Sequence, residues 1–143
     1  MPSYQQDIVA WSIDQARLIR TGRFGELDLK HIADEIEDVG KSEQRELASR
    51  MAVLIGYLLK WKYQPERRGA SWDRTIKAQR KELAYALDES PSLRGKLAEG
   101  RWIDLVWTKG VVLAVTETGL DCFPEECVWS VTDEILNPLR LPD

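Results

Sequence analysis

Apolar residues recur mostly three and four positions apart along this chain, the repeat of helices that each bury one side. In a first segment, about residues 5–20, Ile8, Trp11, Leu18 and Ile19 share a face, and Gly22 supplies the left-handed residue that ends it. Asp28 is placed to cap a short second helix, with Leu27 and Ile32 at the positions of a hydrophobic staple. Leu29, Ile32, Ile36 and Val39 form its predicted inward stripe, and Gly40 its predicted end. A third and longest helix is predicted over about residues 41–62. Leu47, Met51, Leu54, Leu58 and Trp61 make one bundle seam, Ala48, Ile55 and Leu59 widen it, and Val53 and Tyr57 lie on the far side. A helix apolar over so much of its circumference is either central or covered by a second subunit, and this predicts a homodimer. Pro65 blocks its continuation and pushes Gln64 toward an extended conformation.

Ser71 then caps a fourth predicted helix, about residues 72–87, with Trp72, Ile76, Leu83 and Leu87 facing in. Arg74, Lys77, Lys81 and Tyr85 fall together on its opposite face. Ser90-Pro91 restarts a helix that is predicted to reach Thr118 and to stop at Gly119. Gly100 and Gly110 interrupt that pattern, and the β-branched Val111, Val112 and Val115 also suit a short strand. Helix is preferred for residues 111–115, because a lone strand has no partner to pair with. Ser130 is placed to cap a last short helix ending near Leu136, before Pro138. The predicted fold is therefore all-α: one domain over residues 1–143, a compact bundle of four or five main helices with short extra helices.

Size and composition agree. A chain of 143 residues with 43% hydrophobic residues can close its own core without a metal or disulfide. Residues 1–7 lack the basic start and apolar core of a signal peptide, and the longest apolar run, residues 111–115, is far too short to span a bilayer. Two cysteines do not make a disulfide framework, so a cytoplasmic protein with no membrane association is expected.

Charge changes the picture in one place. The net formal charge is −4, but residues 60–81 carry eight Lys/Arg against two acids, Glu66 and Asp73. Arg67, Arg68, Arg74, Lys77 and Lys81, with the aromatic Tyr85, form the candidate interaction surface of this basic corner. Lys60 and Lys62 belong to the same run; Trp61 and Trp72 continue apolar stripes and read as core anchors. The corner allows three uses. Arg67 and Arg68 can pair with carboxylates such as Glu35, Glu37 or Asp38 and fix the fold. The surface can meet a protein partner. Or its cations can contact phosphates while Tyr63 or Tyr85 stacks on a base.

Several segments taken together resemble a known family. They are Ala10-Trp11, Gln15-Ala16, Gly22-Arg23-Phe24 and Glu26-Leu27-Asp28-Leu29, then the acidic run Glu35-Ile36-Glu37-Asp38 with Gly40 and Ser42-Glu43. Leu58-Leu59-Lys60-Trp61, Gln64-Pro65-Glu66-Arg67-Arg68, Ser71-Trp72, Thr75-Ile76 and Phe123-Pro124-Glu125-Glu126-Cys127 follow. The pattern is similar to that of the bacterial family of domains of unknown function numbered twenty-nine, found in cyanobacteria and proteobacteria, and it covers nearly the whole chain. One position departs: where the family carries proline after the cysteine, this chain has Val128. The resemblance implies a compact all-helical fold and implies no catalytic residue.

Chemistry-bearing clusters are few. His31, Asp34, Glu35 and Asp38 fall at i, i+3, i+4 and i+7, a spacing that can offer oxygen and imidazole ligands to a divalent cation acting on a bound water. With no second histidine, a solvated acidic face is the simpler reading. Cys122 and Cys127 are not spaced as a zinc knuckle and read as two buried or half-buried thiols. No phosphate-cradling glycine loop, dinucleotide fingerprint or nucleophile elbow occurs. The expectation is thus a non-catalytic cytoplasmic interaction or accessory module without a cofactor, partnered by itself and by another protein. The alternatives are a nucleic-acid-associated protein using the 60–81 corner and a metal-dependent hydrolase using the 31–38 helix.

Overall fold

Four α-helices carry most of the chain: α1 (Ile8–Arg20), α2 (Leu29–Tyr63), α3 (Ala70–Glu89) and α4 (Gly100–Thr118). The computed structural model describes residues 2–143. Tight 3-10 segments at Phe24–Glu26, Pro65–Arg67 and Pro91–Ala98 and one wide turn at Val131–Ile135 link or follow the helices. Among the described residues there is no β-strand, and the predicted all-α fold is the one observed. Contacts group the chain into two compact units, residues 1–43 and 44–143, with α2 running through both.

In the first unit a side chain sets the start of α1 and a backbone closure sets its end. The Asp7 carboxylate accepts from the Ala10 N–H at 3.0 Å. At the other end Gly22 adopts φ +76°, the Arg23 N–H reaches the Leu18 carbonyl and the Gly22 N–H that of Ile19, a paired closure that uses two orphan carbonyls. Asp28 starts α2 as expected, its carboxylate accepting from the His31 N–H. α1 runs antiparallel to the start of α2: Tyr4 touches Glu35, while Trp11 and Gln15, further along, touch Asp28.

Two expectations for this region are overturned. Gly40 does not end a helix; α2 continues through it for 35 residues. A helical glycine costs only about 1 kcal/mol, and Gly40 lacks the positive φ that a left-handed cap requires. Nor do Leu29, Ile36 and Val39 face inward. They are 67%, 68% and 66% exposed, because α1 packs against the polar side of α2 that carries Asp28, His31 and Glu35. Ile32 alone of that stripe is half-buried.

The second unit holds the main core. Leu47, Met51, Leu54 and Leu58 of α2 meet Ile76, Leu83 and Leu87 of α3, Val106, Trp107 and Ala114 of α4, and Ile135 of the wide turn. Trp61 is half-buried and packs against this core, while Trp72 is half-buried beside the Lys60 ammonium. α3 begins at Ala70 with Gly69 as its cap, so Ser71 lies inside the first turn. The predicted long fifth helix is divided: the 3-10 segment ends at Glu99, which is extended (φ −84°, ψ 113°), and α4 starts afresh at Gly100. Residues 111–115 are helical, and Gly119 closes α4 with φ +73°. Ser130 caps the final turn, accepting from the Asp133 N–H at 3.2 Å, while Glu134 accepts from the Ser130 N–H at 3.1 Å.

Gly110 breaks the sequence pattern for a reason visible only in three dimensions. A Cβ there would lie 2.5 Å from Ile55 Cγ2 and 3.1 Å from the Ala52 carbonyl; one at Gly56 would lie 3.2 Å from the Gly110 carbonyl. α2 and α4 therefore touch backbone to backbone. Helix propensity alone favours Gly110→Ala by about 1 kcal/mol. Overpacking against the stiff, β-branched Ile55 is expected to reverse that sign and leave a net loss of about 1–3 kcal/mol. Urea denaturation decides it, since a gain in stability would mean that the two helices separate freely.

Candidate functional site: the exposed face of α3

The basic run of residues 60–81 is taken apart by the fold. Lys60 is only 5% exposed; its ammonium pairs with Glu117 and lies 3.7 Å from the centre of the Tyr57 ring and 5.1 Å from that of Trp72. Arg80 is 6% exposed and donates to the Ile135 carbonyl at 2.9 Å and the Glu134 carbonyl at 3.1 Å; burial pulls its guanidinium below the usual arginine range. Arg68 donates to the carbonyls of Trp61 and Asp143 at 2.6 and 2.7 Å and lies over the Trp61 ring. These three are structural cations whose partners are inside the fold.

Two of the carboxylates named as possible partners for Arg67 and Arg68 have partners within their own unit. Glu35 accepts from the Tyr4 hydroxyl, and Glu37 pairs with Lys41 one turn on. Arg68 spends its fork on backbone carbonyls, and Arg67 is exposed with no carboxylate partner among the described residues.

What remains outward is the face of α3. Arg74, Lys77, Lys81 and Tyr85 are all exposed, within an arc of roughly 80° and along about 16 Å of helix. Lys77 is tied to Asp73 at 2.9 Å, whereas Arg74 and Lys81 have no carboxylate partner among the described residues. Tyr85 is 66% exposed and borders a shallow depression with Lys81 and Glu82. An exposed phenol ring one turn from Lys81 and on the same helix face as Arg74, with neither cation paired to a carboxylate among the described residues, is the composition of a recognition surface.

In the first unit His31 makes a tight network instead of a metal site. Its Nδ1 donates to the Asp28 carboxylate, 2.7 Å from Oδ2, and the Gln5 amide nitrogen lies 3.3 Å from Nε2. The Tyr4 ring stacks on the imidazole at 4.2 Å, and the Trp11 indole N–H donates to the same Asp28 oxygen at 2.9 Å. The hydrogen bond from His31 holds the Asp28 carboxyl below its usual range, with the indole adding to it. The hydrogen bond to Glu35 pushes the Tyr4 phenol up to about 12. With both ring nitrogens engaged and one ring face covered, His31 ties the residues before α1 to the start of α2. Glu35 and His31 are thus used, Asp34 and Asp38 stand exposed beside them, and no group of three or more His, Cys, Asp or Glu side chains among the described residues is arranged to hold a metal ion.

A family model described as a domain of unknown function, DUF29, matches residues 3–139. The chain belongs to the DUF29 family. No curated protein and no solved structure matches it.

The DUF29 match spans both units and takes in the α3 face, the His31 network and the cysteine segment. In that segment the Cys127 thiol donates to the Trp129 carbonyl at 3.2 Å, and burial pushes its pKa up, so it stays a thiol and a poor nucleophile. Cys127 is half-buried as expected, whereas Cys122, expected to be covered too, is exposed on a segment without regular structure; both cysteines are free. The structural cations of this DUF29 chain carried one legible signal. Arg80 follows Ile76 by four and precedes Leu83 by three, the spacing of the inward stripe and not of the outward one. Among the described residues no helix is long and apolar enough to cross a membrane.

Proposed function

We propose that this chain is a bacterial, cytoplasmic, non-catalytic interaction module that works as a homodimer and recognises an acidic segment of another protein through α3. The observation that carries the reading is the exposed stripe of Arg74, Lys77, Lys81 and Tyr85, in which Arg74 and Lys81 lack a carboxylate partner among the described residues. Arginine and tyrosine are the residues that most often anchor protein interfaces. Three cations on a chain of net charge −4 release few counterions on a nucleic acid, so a polyanion gains little here. The free thiols suit a reducing compartment.

The test is affinity purification of the tagged protein from its native host, with and without nuclease, for the wild type and for Arg74→Glu/Lys81→Glu/Tyr85→Ala. A stoichiometric companion that survives nuclease and is lost with the triple variant is the expected result. Because these side chains are exposed, the variant keeps its thermal midpoint. Recovery of nucleic acid in place of protein, or a companion indifferent to the variant, overturns the reading.

A further inference from the structure

Part of the apolar stripes that the sequence pattern points toward the core lies on the outer surface of the first unit. On α1, Ile8 and Ile19 are 47% and 46% exposed, with Ser12 and Ala16 between them. On α2, Leu29, Ile36 and Val39 are about two-thirds exposed, and Ile32 is half-buried. At 100° per residue, both sets are rotated roughly 50–130° in the same sense from the seam where the helices meet. In an antiparallel pair such rotations point to one side, so the two stripes make a single apolar face of the hairpin.

That face carries no charged side chain apart from Glu43 at its far end. Lys30, Asp34, Glu37, Asp38 and Lys41 all project at least about 120° away around α2. The Ser12 hydroxyl is satisfied by the Val9 carbonyl at 2.8 Å, so covering it strands no donor. The exposed fractions amount to on the order of 600 Å² of apolar surface, at the upper end of what a monomer leaves open. A standard interface takes about 800 Å² from each partner, a little over half of it apolar, so the face suffices for one.

The unit also needs covering. Among the described residues of this unit only Trp11, Gln15 and Leu18 are buried, too few to hold a hairpin of this size together. The occupant must match a neutral, self-contained surface on a unit with nine acids against five Lys/Arg. A charged partner finds no complement there, and an anionic lipid surface is repelled by the unit's net charge. A second copy meets neither obstacle, because a twofold axis through this face matches it to itself and holds both sets of acids on the outside. The spacing of Leu29, Ile32, Ile36 and Val39, three, four, three, is that of helices packed about 20° from parallel or antiparallel.

We infer that two copies of the chain associate through the apolar face of the α1–α2 hairpin to form a four-helix interface. The inference rests on the homodimer reading above and assigns its surface. Sedimentation of the full chain at about 100 µM tests it, well above the micromolar dissociation constant of a modest interface. The wild type is expected to run as a dimer, and Ile36→Glu/Val39→Glu as a monomer of unchanged helicity, with a dissociation constant raised at least 100-fold. In a Cys122→Ser/Cys127→Ser background, Ile36→Cys is expected to give a covalent dimer with a short bismaleimide, and Lys81→Cys to give none; this arm stands even if the double variant misfolds. A monomeric wild type overturns both the homodimer and this face. A dimer that survives Ile36→Glu/Val39→Glu, with no cross-link through Ile36→Cys, overturns the face alone and leaves the homodimer standing. A monomer that floats with phosphatidylcholine vesicles overturns the inference by assigning the face to lipid.

Discussion

Trp107→Ala is expected to cost the second unit about 3–5 kcal/mol, the range for truncating a fully buried aromatic side chain. Trp107 is 0% exposed; its indole N–H donates to the Pro124 carbonyl at 2.8 Å, and its ring meets that of Trp129 edge to face at 5.4 Å. One side chain thus anchors α4 in the core and ties down the segment after it, which forms no regular structure between Gly119 and Ser130. Truncation loses the buried area, leaves a cavity and removes the donor of the Pro124 carbonyl. Trp107→Phe separates these effects, since it keeps most of the apolar volume and loses only the N–H, at about 1–2 kcal/mol. Against a total stability of about 5–15 kcal/mol, the alanine variant should be marginal at 37 °C. The check is a denaturant titration followed by a probe in residues 44–143. A loss below about 1 kcal/mol for Trp107→Ala would show that the 119–130 segment is held by other contacts.

The same residue illustrates what the sequence could say. The seams of α2 and α3 were legible because Leu47, Met51, Leu54 and Leu58, and Ile76, Leu83 and Leu87, repeat at helical spacing and are buried where that spacing points. Ser130 and Gly119 were legible because capping is decided by neighbours a few residues away. Errors arose where distant residues decide. Gly40 looks like a stop, but whether a helix continues past a glycine depends on packing worth more than the roughly 1 kcal/mol at stake. Gly110 looks like a weak point in a helix and is instead the place where two backbones touch.

The first unit shows the opposite failure. A hydrophobic stripe marks a face that something covers; it does not say that the same chain covers it. Leu29, Ile36 and Val39 obey the helical repeat and still face outward, because α1 docks on Asp28, His31 and Glu35 through Tyr4, Trp11 and Gln15. The candidate surface was half legible. Arg74, Lys77, Lys81 and Tyr85 were grouped by helical phase, and phase holds once α3 forms. Opposite charges in a sequence suggest carboxylate pairing as one use of Arg68, whereas the backbone oxygens that its fork meets are announced by no sequence pattern.

Arg80→Ala is expected to cost about 2–4 kcal/mol, while Arg74→Ala, six positions earlier on the same helix, stays within about 0.5 kcal/mol. Both belong to one basic run, and charge alone does not tell them apart. Arg80 lies on the stripe of Ile76, Leu83 and Leu87, and its two donated hydrogen bonds end on the Glu134 and Ile135 carbonyls, at the end of the wide turn where orphan carbonyls gather. No carboxylate pairs with it among the described residues, so those carbonyl dipoles are what balance a buried cation. Removing the side chain leaves both acceptors unmet and opens space beneath Ile135, which is 1% exposed. The loss should therefore be local before it is global. Amide hydrogen exchange in residues 131–136 is expected to rise in Arg80→Ala well before the α2–α3 core opens. Arg80→Lys, which keeps the charge but loses the planar fork, should fall between the two. If Arg80→Ala and Arg74→Ala prove equally harmless, Arg80 is no more than another surface cation. If they differ as expected, the basic run divides into residues that hold the fold and residues left free to bind.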